Sequence, residues 1–341
     1  MPYHFKNLVF EGGGVKGVAY VGATKVLEDK GILGNIERVG GTSAGAINAV
    51  LLALNYSNEE AEKILSELNF KKFMDSSWWM VDVCRVWKEY GWNKGKFFRN
   101  WIGERIAKKT GSSETTFAEL YKQKEQGRNE KFKDLYILGT NLSTRFSEVF
   151  SYEKTPNMPI ADAVRISMSI PLFFASERRG ERKDVYVDGG LLANFPVKIF
   201  DREKYVRDHK REPDYYKKHN ESLGNKGINI SKYVYNKETL GFRLDSKEEI
   251  GIFRDQKEPM HHKINSFVGF AKGLIWTMMN HQLNIHLHDD DWQRTIYIDA
   301  SIASVTEFDL SEDKKSKLIE EGQKGVKKYF DWYDNQPSVN K

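Results

Sequence analysis

The stretch NLVFEGGGVKGVAY, residues 7–20, decides how the first half of this chain folds. Its apolar segment Asn7–Phe10 predicts a strand, and three glycines then lead into the small, apolar start of a helix. Such a strand–glycine–helix turn presents backbone N–H groups at a helix N-terminus, which suits an anion. The anion is either the pyrophosphate of a dinucleotide or the oxyanion of an acyl-transfer intermediate, and the two alternatives imply different functions.

Strand and helix patterns alternate outward from this turn. Strands are predicted at Asn7–Phe10 and Arg38–Thr42, and helices at Val15–Lys30, Ala44–Leu54 and Asn58–Leu68. This βαβα order is typical of an α/β fold with a largely parallel sheet and helices on its faces.

The rest of the chain is less regular. Adjacent strands are predicted at Phe132–Leu142 and Phe146–Ser151. From 201 to 226, 14 of 26 residues are charged, which predicts a solvated insertion or mobile loop that extends to about residue 262. A C-terminal helix–strand–helix region of about 263–335 follows, with a helical pattern at Phe267–Leu283 and a strand at Arg294–Asp299. We therefore expect a single domain over residues 5–335.

Residues 70–101 hold five of the eight tryptophans, at positions 78, 79, 87, 92 and 101. Packing beneath a long connection is the favoured interpretation. The alternative is a hydrophobic rim beside a site for an apolar substrate.

Bulk composition excludes several classes of protein. The net charge of +5 and pI of about 8.9 permit transient contact with an anionic membrane surface, but no arginine-rich run or zinc-ligand spacing predicts a nucleic-acid partner. The single cysteine, Cys84, allows no disulfide within the chain. No signal peptide or membrane-spanning stretch is recognised, so we expect a soluble, cytoplasmic protein.

The glycine turn alone is weak support for dinucleotide binding. Gly12, Gly14 and Gly17 satisfy the spacing G-x-G-x-x-G. The corresponding fingerprint also needs an acidic residue at the end of the second strand, to bind a ribose. That strand ends in Gly-Gly-Thr-Ser instead, and Glu37 precedes it. The nucleotide hypothesis therefore ranks last.

A second motif follows the second strand. Gly41-Thr42-Ser43-Ala44-Gly45 matches G-x-S-x-G, the nucleophile elbow, in which a serine lies on a sharp strand-to-helix turn. Flanking glycines let the chain turn without a Cβ clash. The motif lies between an apolar strand and an apolar helix, as its function requires, although a glycine-rich turn with an N-cap serine remains the alternative for the motif in isolation.

A serine nucleophile needs a base, and an aspartate is a better candidate than any histidine. The eight histidines lie at positions 4, 209, 219, 261, 262, 281, 286 and 288, none in a motif at the end of a strand. The pair at 286 and 288, beside three aspartates, is interpreted as an exposed polar loop rather than a metal site. Asp188, by contrast, ends a predicted strand and is followed by Gly189 and Gly190. In an open α/β sheet such an aspartate points into the crevice that holds the elbow.

Together these three motifs resemble the patatin-like phospholipases. The family carries a G-G-G-x-[KR]-G loop, a G-x-S-x-G elbow and a D-G-[GA] aspartate in that order, matched here at residues 12–17, 41–45 and 188–190. Residues 165–174 (RISMSIPLFF) and Asn194-Phe195-Pro196 also resemble family segments. The resemblance covers roughly residues 5–200, and more loosely the final strand and helix.

The resemblance implies a three-layer α/β/α sandwich and a Ser–Asp dyad without histidine, metal or cofactor. Ser43 would be the nucleophile and Asp188 the proton acceptor, with the oxyanion held by N–H groups of the loop formed by Gly12, Gly13 and Gly14. Lys16 would support the loop or attract an anionic headgroup. Gly17, Gly41, Gly45, Gly189 and Gly190 complete the set of supporting residues.

The leading hypothesis is thus a lipid acyl hydrolase of the phospholipase A type, acting on phospholipids or related acyl esters. One alternative is an acyltransferase that uses the same dyad. Another is a catalytically silent protein that binds a membrane or a partner, although the intact motifs disfavour it. The sequence makes no prediction about oligomeric state.

Overall fold

The computed structural model describes residues 3–68, 91–93, 95–127, 129, 131–226, 230–245, 290–305 and 307–336, with scattered positions between 261 and 278. Cys84, most of the helix expected at Phe267–Leu283 and the histidines at 262, 281, 286 and 288 lie outside the described residues. Of the tryptophan-rich segment, Trp101 is described, and it is buried with 8% of its surface exposed, as the packing interpretation expects.

The described secondary structure begins with a strand and ends with a long helix. The strands are β1 (Asn7–Phe10), β2 (Arg38–Thr42), β3 (Gly91–Asn93), β4 (Asp134–Asn141), β5 (Phe146–Phe150), β6 (Leu172–Phe174), β7 (Glu177–Arg179), β8 (Asp184–Asp188), β9 (Lys210–Arg211), β10 (Tyr235–Asn236), β11 (Thr239–Asp245) and β12 (Thr295–Asp299). The helices are α1 (Ala19–Asp29), α2 (Ala44–Ala53), α3 (Asn58–Ser66), α4 (Lys96–Thr110), α5 (Phe117–Glu125), α6 (Ile160–Ser167), α7 (Gly190–Ala193), α8 (Asp214–Asn225) and α9 (Glu312–Asp334).

The central sheet is mainly parallel, as the sequence predicted. Strands β12, β11, β1, β2 and β4 pair side by side in that order, and every one of these pairs is parallel. Antiparallel strands β5 and β8 both pair with β4, and β7 pairs with β8. The α/β fold class is therefore confirmed.

The sheet carries a hydrophobic layer on each face because side chains alternate along its strands. Leu8 and Phe10 of β1 pack in the larger core with helices α1, α2, α6 and α9. Val9 faces the other way, where it packs with Phe200 and Tyr205. This second layer is built from the segment that follows α7, and it completes the three-layer arrangement.

Local sequence signals account for most element boundaries. Strands β1 and β2 occupy the predicted residues, and α2 and α3 end one or two residues early. The capping box of α3 explains its start, because the Ser57 hydroxyl accepts the Glu60 N–H at 3.1 Å and the Glu60 carboxylate accepts the Ser57 N–H at 3.1 Å. The helix predicted at Val15–Lys30 is divided: Gly14–Val18 is a 3₁₀ turn, and α1 begins at Ala19.

The expectation of a solvated insertion or mobile loop at 201–262 is wrong at β11, whereas most residues of 207–226 are exposed. Strand β11 lies within this segment, between β1 and β12 in the sheet, and all seven of its residues are buried. Its sequence TLGFRLD shows neither alternation nor an apolar run, because Arg243 and Asp245 interrupt it. These two side chains pair at 2.9 Å within the fold, which lets the strand be buried.

The first part of the same segment is anchored by a buried ion pair. Asp201 is fully buried, and its carboxylate accepts hydrogen bonds from both terminal nitrogens of Arg294, at 2.6 and 2.8 Å. The Tyr216 hydroxyl of α8 donates to the same carboxylate at 2.7 Å. These contacts attach the charged segment to the start of β12.

Candidate active site

Ser43 lies on a strained turn between β2 and α2. Its φ of 52° and ψ of −125° are unusual for any residue other than glycine, and they turn the chain sharply from strand to helix. The helix approaches β1 so closely that a Cβ on Gly45 would lie 2.4 Å from the Phe10 carbonyl oxygen. The turn therefore has the geometry of a nucleophile elbow.

Ser167, the last residue of α6, and Met168, which follows it, both contact Ser43. The Ser43 N–H donates to the Ser167 hydroxyl at 2.9 Å, and the Ser43 hydroxyl lies 3.6 Å from the sulfur of Met168. Ser43 is buried, with 2% of its surface exposed. The nucleophile candidate is thus shielded and fixed at its backbone.

Asp188 meets Ser43 because β2 and β8 pair with the same side of β4. Residues 137 and 138 of β4 pair with both β2 and β5, and residues 139–141 pair with both β5 and β8. Strand β5 occupies one side, so β2 and β8 share the other. Thr42 lies opposite Leu138 and Asp188 lies opposite Gly139, so the carboxyl ends of β2 and β8 meet.

The sequence predicted that Asp188 ends a strand and points into the crevice that holds the elbow, but it did not predict the direction of that strand. Asp188 is the last residue of β8. Strand β8 is antiparallel to β4, and it approaches the elbow from the opposite direction. The register of β8 on β4 brings the aspartate to the serine.

Burial makes the Asp188 carboxylate unusually basic. Asp188 is fully buried, and desolvation raises its pKa to about 7, although the Gly190 N–H and the Ser43 hydroxyl act in the opposite direction. The Gly190 N–H donates to Oδ1 at 2.7 Å, while Oδ2 has no hydrogen-bond partner within the described part of the chain. The Ser43 hydroxyl lies 3.6 Å from the Met168 sulfur, and it is close enough to the Asp188 carboxylate to favour its charged form.

The glycine loop packs directly against the elbow. A Cβ on Gly12 would lie 3.1 Å from the Ser43 Cβ and 2.4 Å from Asn194 Oδ1. The Gly12 N–H already donates to the Asn194 carbonyl at 3.1 Å, so it is not available to an oxyanion. The N–H groups of Gly13 and Gly14 have no acceptor among the described residues. Two of the three predicted donors are therefore free.

The supporting residues take different positions around these groups. Lys16 is half-buried, and its N–H donates to the Gly13 carbonyl at 3.2 Å, which closes the loop. The Gly17 carbonyl accepts a hydrogen bond from Asn48 of α2 at 3.2 Å. Gly41 and Gly189 are buried beside the elbow and the aspartate.

Four residues in this site received no role from the sequence. Ser167 and Met168 touch Ser43, and the Ser169 carbonyl accepts the Asp188 N–H at 2.9 Å. Asn194 donates to both the Glu11 carboxylate and the Gly12 carbonyl, each at 3.2 Å. The available signals were the segments 165–174 (RISMSIPLFF) and Asn194-Phe195-Pro196, which resemble segments of the family.

Within the described residues, the hydrogen bonds of Ser43 and Asp188 involve no histidine. The described residues contain no group of three or more histidine, cysteine, aspartate or glutamate side chains that could hold a metal. His4 and His209 stack on each other with ring centroids 4.1 Å apart, and His4 bonds to Tyr333 of α9.

Among the described helices, none is long and apolar enough to cross a membrane.

Comparison with known proteins agrees with this geometry. The sequence profile described as Patatin-like phospholipase matches residues 8–201, which is more than half of the chain. The uncharacterized protein YqhO of Bacillus subtilis (strain 168) is 28% identical over 329 residues, covering 93% of this chain and 94% of the relative. The probable lipid hydrolase 463L of Invertebrate iridescent virus 6 is 28% identical over 209 residues, covering 58% of this chain and 64% of that protein.

A solved structure supports the fold alone. VipD from Legionella pneumophila superposes with a TM-score of 0.58 at 16% identity, covering 96% of this chain and 67% of VipD.

Proposed function

The chain belongs to the patatin-like phospholipase family, and we propose that it hydrolyses acyl ester bonds of phospholipids or related lipids with Ser43 as nucleophile and Asp188 as base. The family and the lipid hydrolase among its relatives support a lipid-hydrolysing enzyme. One observation carries the mechanism: the elbow serine abuts a buried carboxylate whose second oxygen has no partner within the described residues.

The first step forms an acyl-enzyme. Rotation of the Ser43 side chain away from Met168 would direct its hydroxyl to the unpartnered Oδ2 of Asp188. The serine oxygen then attacks the ester carbonyl while Asp188 takes its proton. A carboxylate with a pKa of about 7 suits this transfer, because a general base works best when its pKa lies near the working pH.

The glycine loop would bind the negative charge that develops on the carbonyl oxygen. Gly13 and Gly14 are the proposed donors, since the N–H of Gly12 is already bonded to Asn194. Removing one such donor typically lowers turnover by about 10²–10³-fold. The 3₁₀ turn that starts at Gly14 adds a favourable dipole at this position.

Two further steps complete the cycle. When the tetrahedral intermediate collapses, the ester C–O bond breaks, the leaving alcohol takes the proton from Asp188, and the acyl-enzyme remains. Water then attacks the acyl-enzyme, giving its proton to Asp188, and Ser43 leaves with that proton as the fatty acid is released.

We also propose that residues 5–335 form one domain, because β11 and β12 extend the sheet that holds the motifs and α9 packs on it. The net charge of +5 supports contact with an anionic lipid surface during turnover.

The test is hydrolysis of p-nitrophenyl esters and of phospholipid vesicles by wild type, Ser43→Ala and Asp188→Asn. We expect both variants to lose about 10³-fold or more in turnover while they melt cooperatively. Ser147→Ala, at an exposed position of β5, is the matched control and should keep its rate. Full activity of Asp188→Asn would show that the base is another group. Ester formation from an added long-chain alcohol, in place of hydrolysis, would show a transferase.

A further inference from the structure

A cavity lies at the edge of the sheet opposite to Ser43. It has a volume of about 580 Å³, and the segments that lead into β2 and β4 line it together with the C-terminal end of α2 and the N-terminal end of α3. We call it the basal cavity. Its volume is within the range of small-molecule sites.

A buried, unpaired lysine lies in the wall of the basal cavity. Lys133 is 8% exposed, and the one hydrogen bond of its ammonium in the described chain is a long one, at 3.4 Å, to the Lys131 carbonyl. The neighbouring carboxylate of Asp134 pairs with Lys124 at 2.8 Å and not with Lys133. A buried ammonium without a carboxylate partner is costly. Burial and the charge of Lys124 accordingly lower its pKa to about 8, which still leaves it mostly charged at neutral pH.

The acidic side chains of the cavity already have partners. The Glu28 carboxylate accepts a hydrogen bond from Asn58 at 2.7 Å. The Glu60 carboxylate pairs with Lys109 at 2.8 Å, and this bond is the main cause of its lowered pKa, about 2. The Glu60 carboxylate therefore stays ionised at neutral pH, and it disfavours a ligand with several negative charges. The buried ammonium of Lys133 matches one anionic group.

The remaining wall is mixed, because polar residues such as Asn48, Asn55 and Ser57 line it beside apolar ones. In its apolar part Ile36, Leu51 and Phe132 are buried, and the side chains of Leu33 and Leu52 are half-buried. A ligand with a hydrocarbon body in addition to its anionic group can contact this apolar part.

We propose that the basal cavity binds a medium-chain fatty acid, with its carboxylate on Lys133 and its chain along Ile36, Leu51 and Phe132. The identification of the ligand as a reaction product rests on the proposed function, whereas the binding site itself does not. Helix α2 joins the two sites, because Ser43 precedes its first residue and Leu51 is near its last. Leu51 lies eight residues after Ser43, which is about 12 Å along the helix axis.

The test is calorimetric titration of the full chain with decanoate. Ser43→Ala should bind decanoate as the wild type does, and Lys133→Met should bind it at least tenfold more weakly. Lys131→Met is the matched control, because Lys131 is an exposed lysine on the same wall, and its affinity should stay within twofold of the wild type. Decanol, which lacks the charge, and acetate, which lacks the chain, should each bind at least tenfold more weakly than decanoate.

Equal affinity of wild type and Lys133→Met for decanoate would overturn the proposal, and so would absence of binding to the wild type. Lys133→Met removes an unpaired charge, so it should melt no lower than the wild type, and loss of folding would not explain a loss of binding. Hydrolysis is measured separately. Binding that depends on Lys133 in a chain without esterase activity would refute the proposed function and leave the cavity site intact.

Discussion

Ser43 and Asp188 come together where two strands of opposite direction end against each other on one side of β4. Ser43 has a positive φ, which turns the chain sharply at this residue. The Asp188 N–H donates to the Ser169 carbonyl, and its Oδ1 accepts the Gly190 N–H. The Ser167 hydroxyl also accepts the Ser43 N–H, so backbone contacts and one serine side chain together position the two groups.

The rate of ester hydrolysis should fall on the acid side of about pH 7. Asp188 can accept the proton of Ser43 only as a carboxylate, and burial raises its pKa to about 7. We expect kcat/KM with an uncharged ester to fall tenfold for each unit of pH below that value. The measurement is a rate profile from pH 5 to 9, with the melting temperature followed in parallel. A profile that is flat from pH 5 to 8 would contradict the role of Asp188.

Ser167→Ala should reduce turnover through the position of Ser43. The Ser167 hydroxyl accepts the buried Ser43 N–H at 2.9 Å, and without it the elbow loses its only side-chain anchor of this kind in the described chain. A small displacement of a nucleophile can lower a rate by about 10²-fold, and we expect a loss of about ten- to a hundredfold in kcat. Ser167→Thr, which keeps the hydroxyl, should recover part of the rate. If Ser167→Ala and Ser147→Ala both match the wild type, the anchor has no catalytic role.

The elbow and its strand were predictable because they depend on neighbouring residues. Glycines on either side of Ser43 encode the turn locally, and the apolar segments on either side encode the strand and the helix. The position of Asp188 at the end of a strand was also predictable. The antiparallel direction of β8 was not, because strand direction depends on the path of the intervening chain.

Strand β11 shows a second limit. Its Arg243 and Asp245 look like surface residues in the sequence, but in the fold both are buried and pair with each other at 2.9 Å. The engaged N–H of Gly12 is similar, because its acceptor, the Asn194 carbonyl, lies far away in sequence. Contacts between distant segments decide both features, and no local pattern encodes them.

Asp188→Asn should stabilise the fold above pH 7. The pKa of an aspartate is near 3.8 when solvated and about 7 in the folded chain, so between these values the folded state holds a proton that the unfolded state releases. The free energy of unfolding of the wild type therefore falls as the pH rises from about 4 to 7. The variant lacks this dependence.

We expect a gain on the order of 2–4 kcal/mol for Asp188→Asn at pH 8 that disappears near pH 4. The measurement is urea unfolding of wild type and variant at both pH values. A gain of the same size at pH 4 would point to packing rather than to the charge. Equal stability at pH 8 would mean that the carboxylate is not desolvated.

Arg294→Met should be strongly destabilising, because it leaves the fully buried Asp201 carboxylate without its cation. The guanidinium binds Asp201 through two nitrogens and Asp291 at 2.7 Å. Its removal leaves Asp201 with neutral donors among the described residues, whereas Asp291 keeps its pair with Lys198 at 3.3 Å. Removing one partner of such a pair typically costs about 3–5 kcal/mol. Lys317→Met, which breaks an exposed pair with Asp313, should cost less than about 1 kcal/mol. If urea unfolding gives similar values for the two variants, the buried pair does not anchor the charged segment to β12.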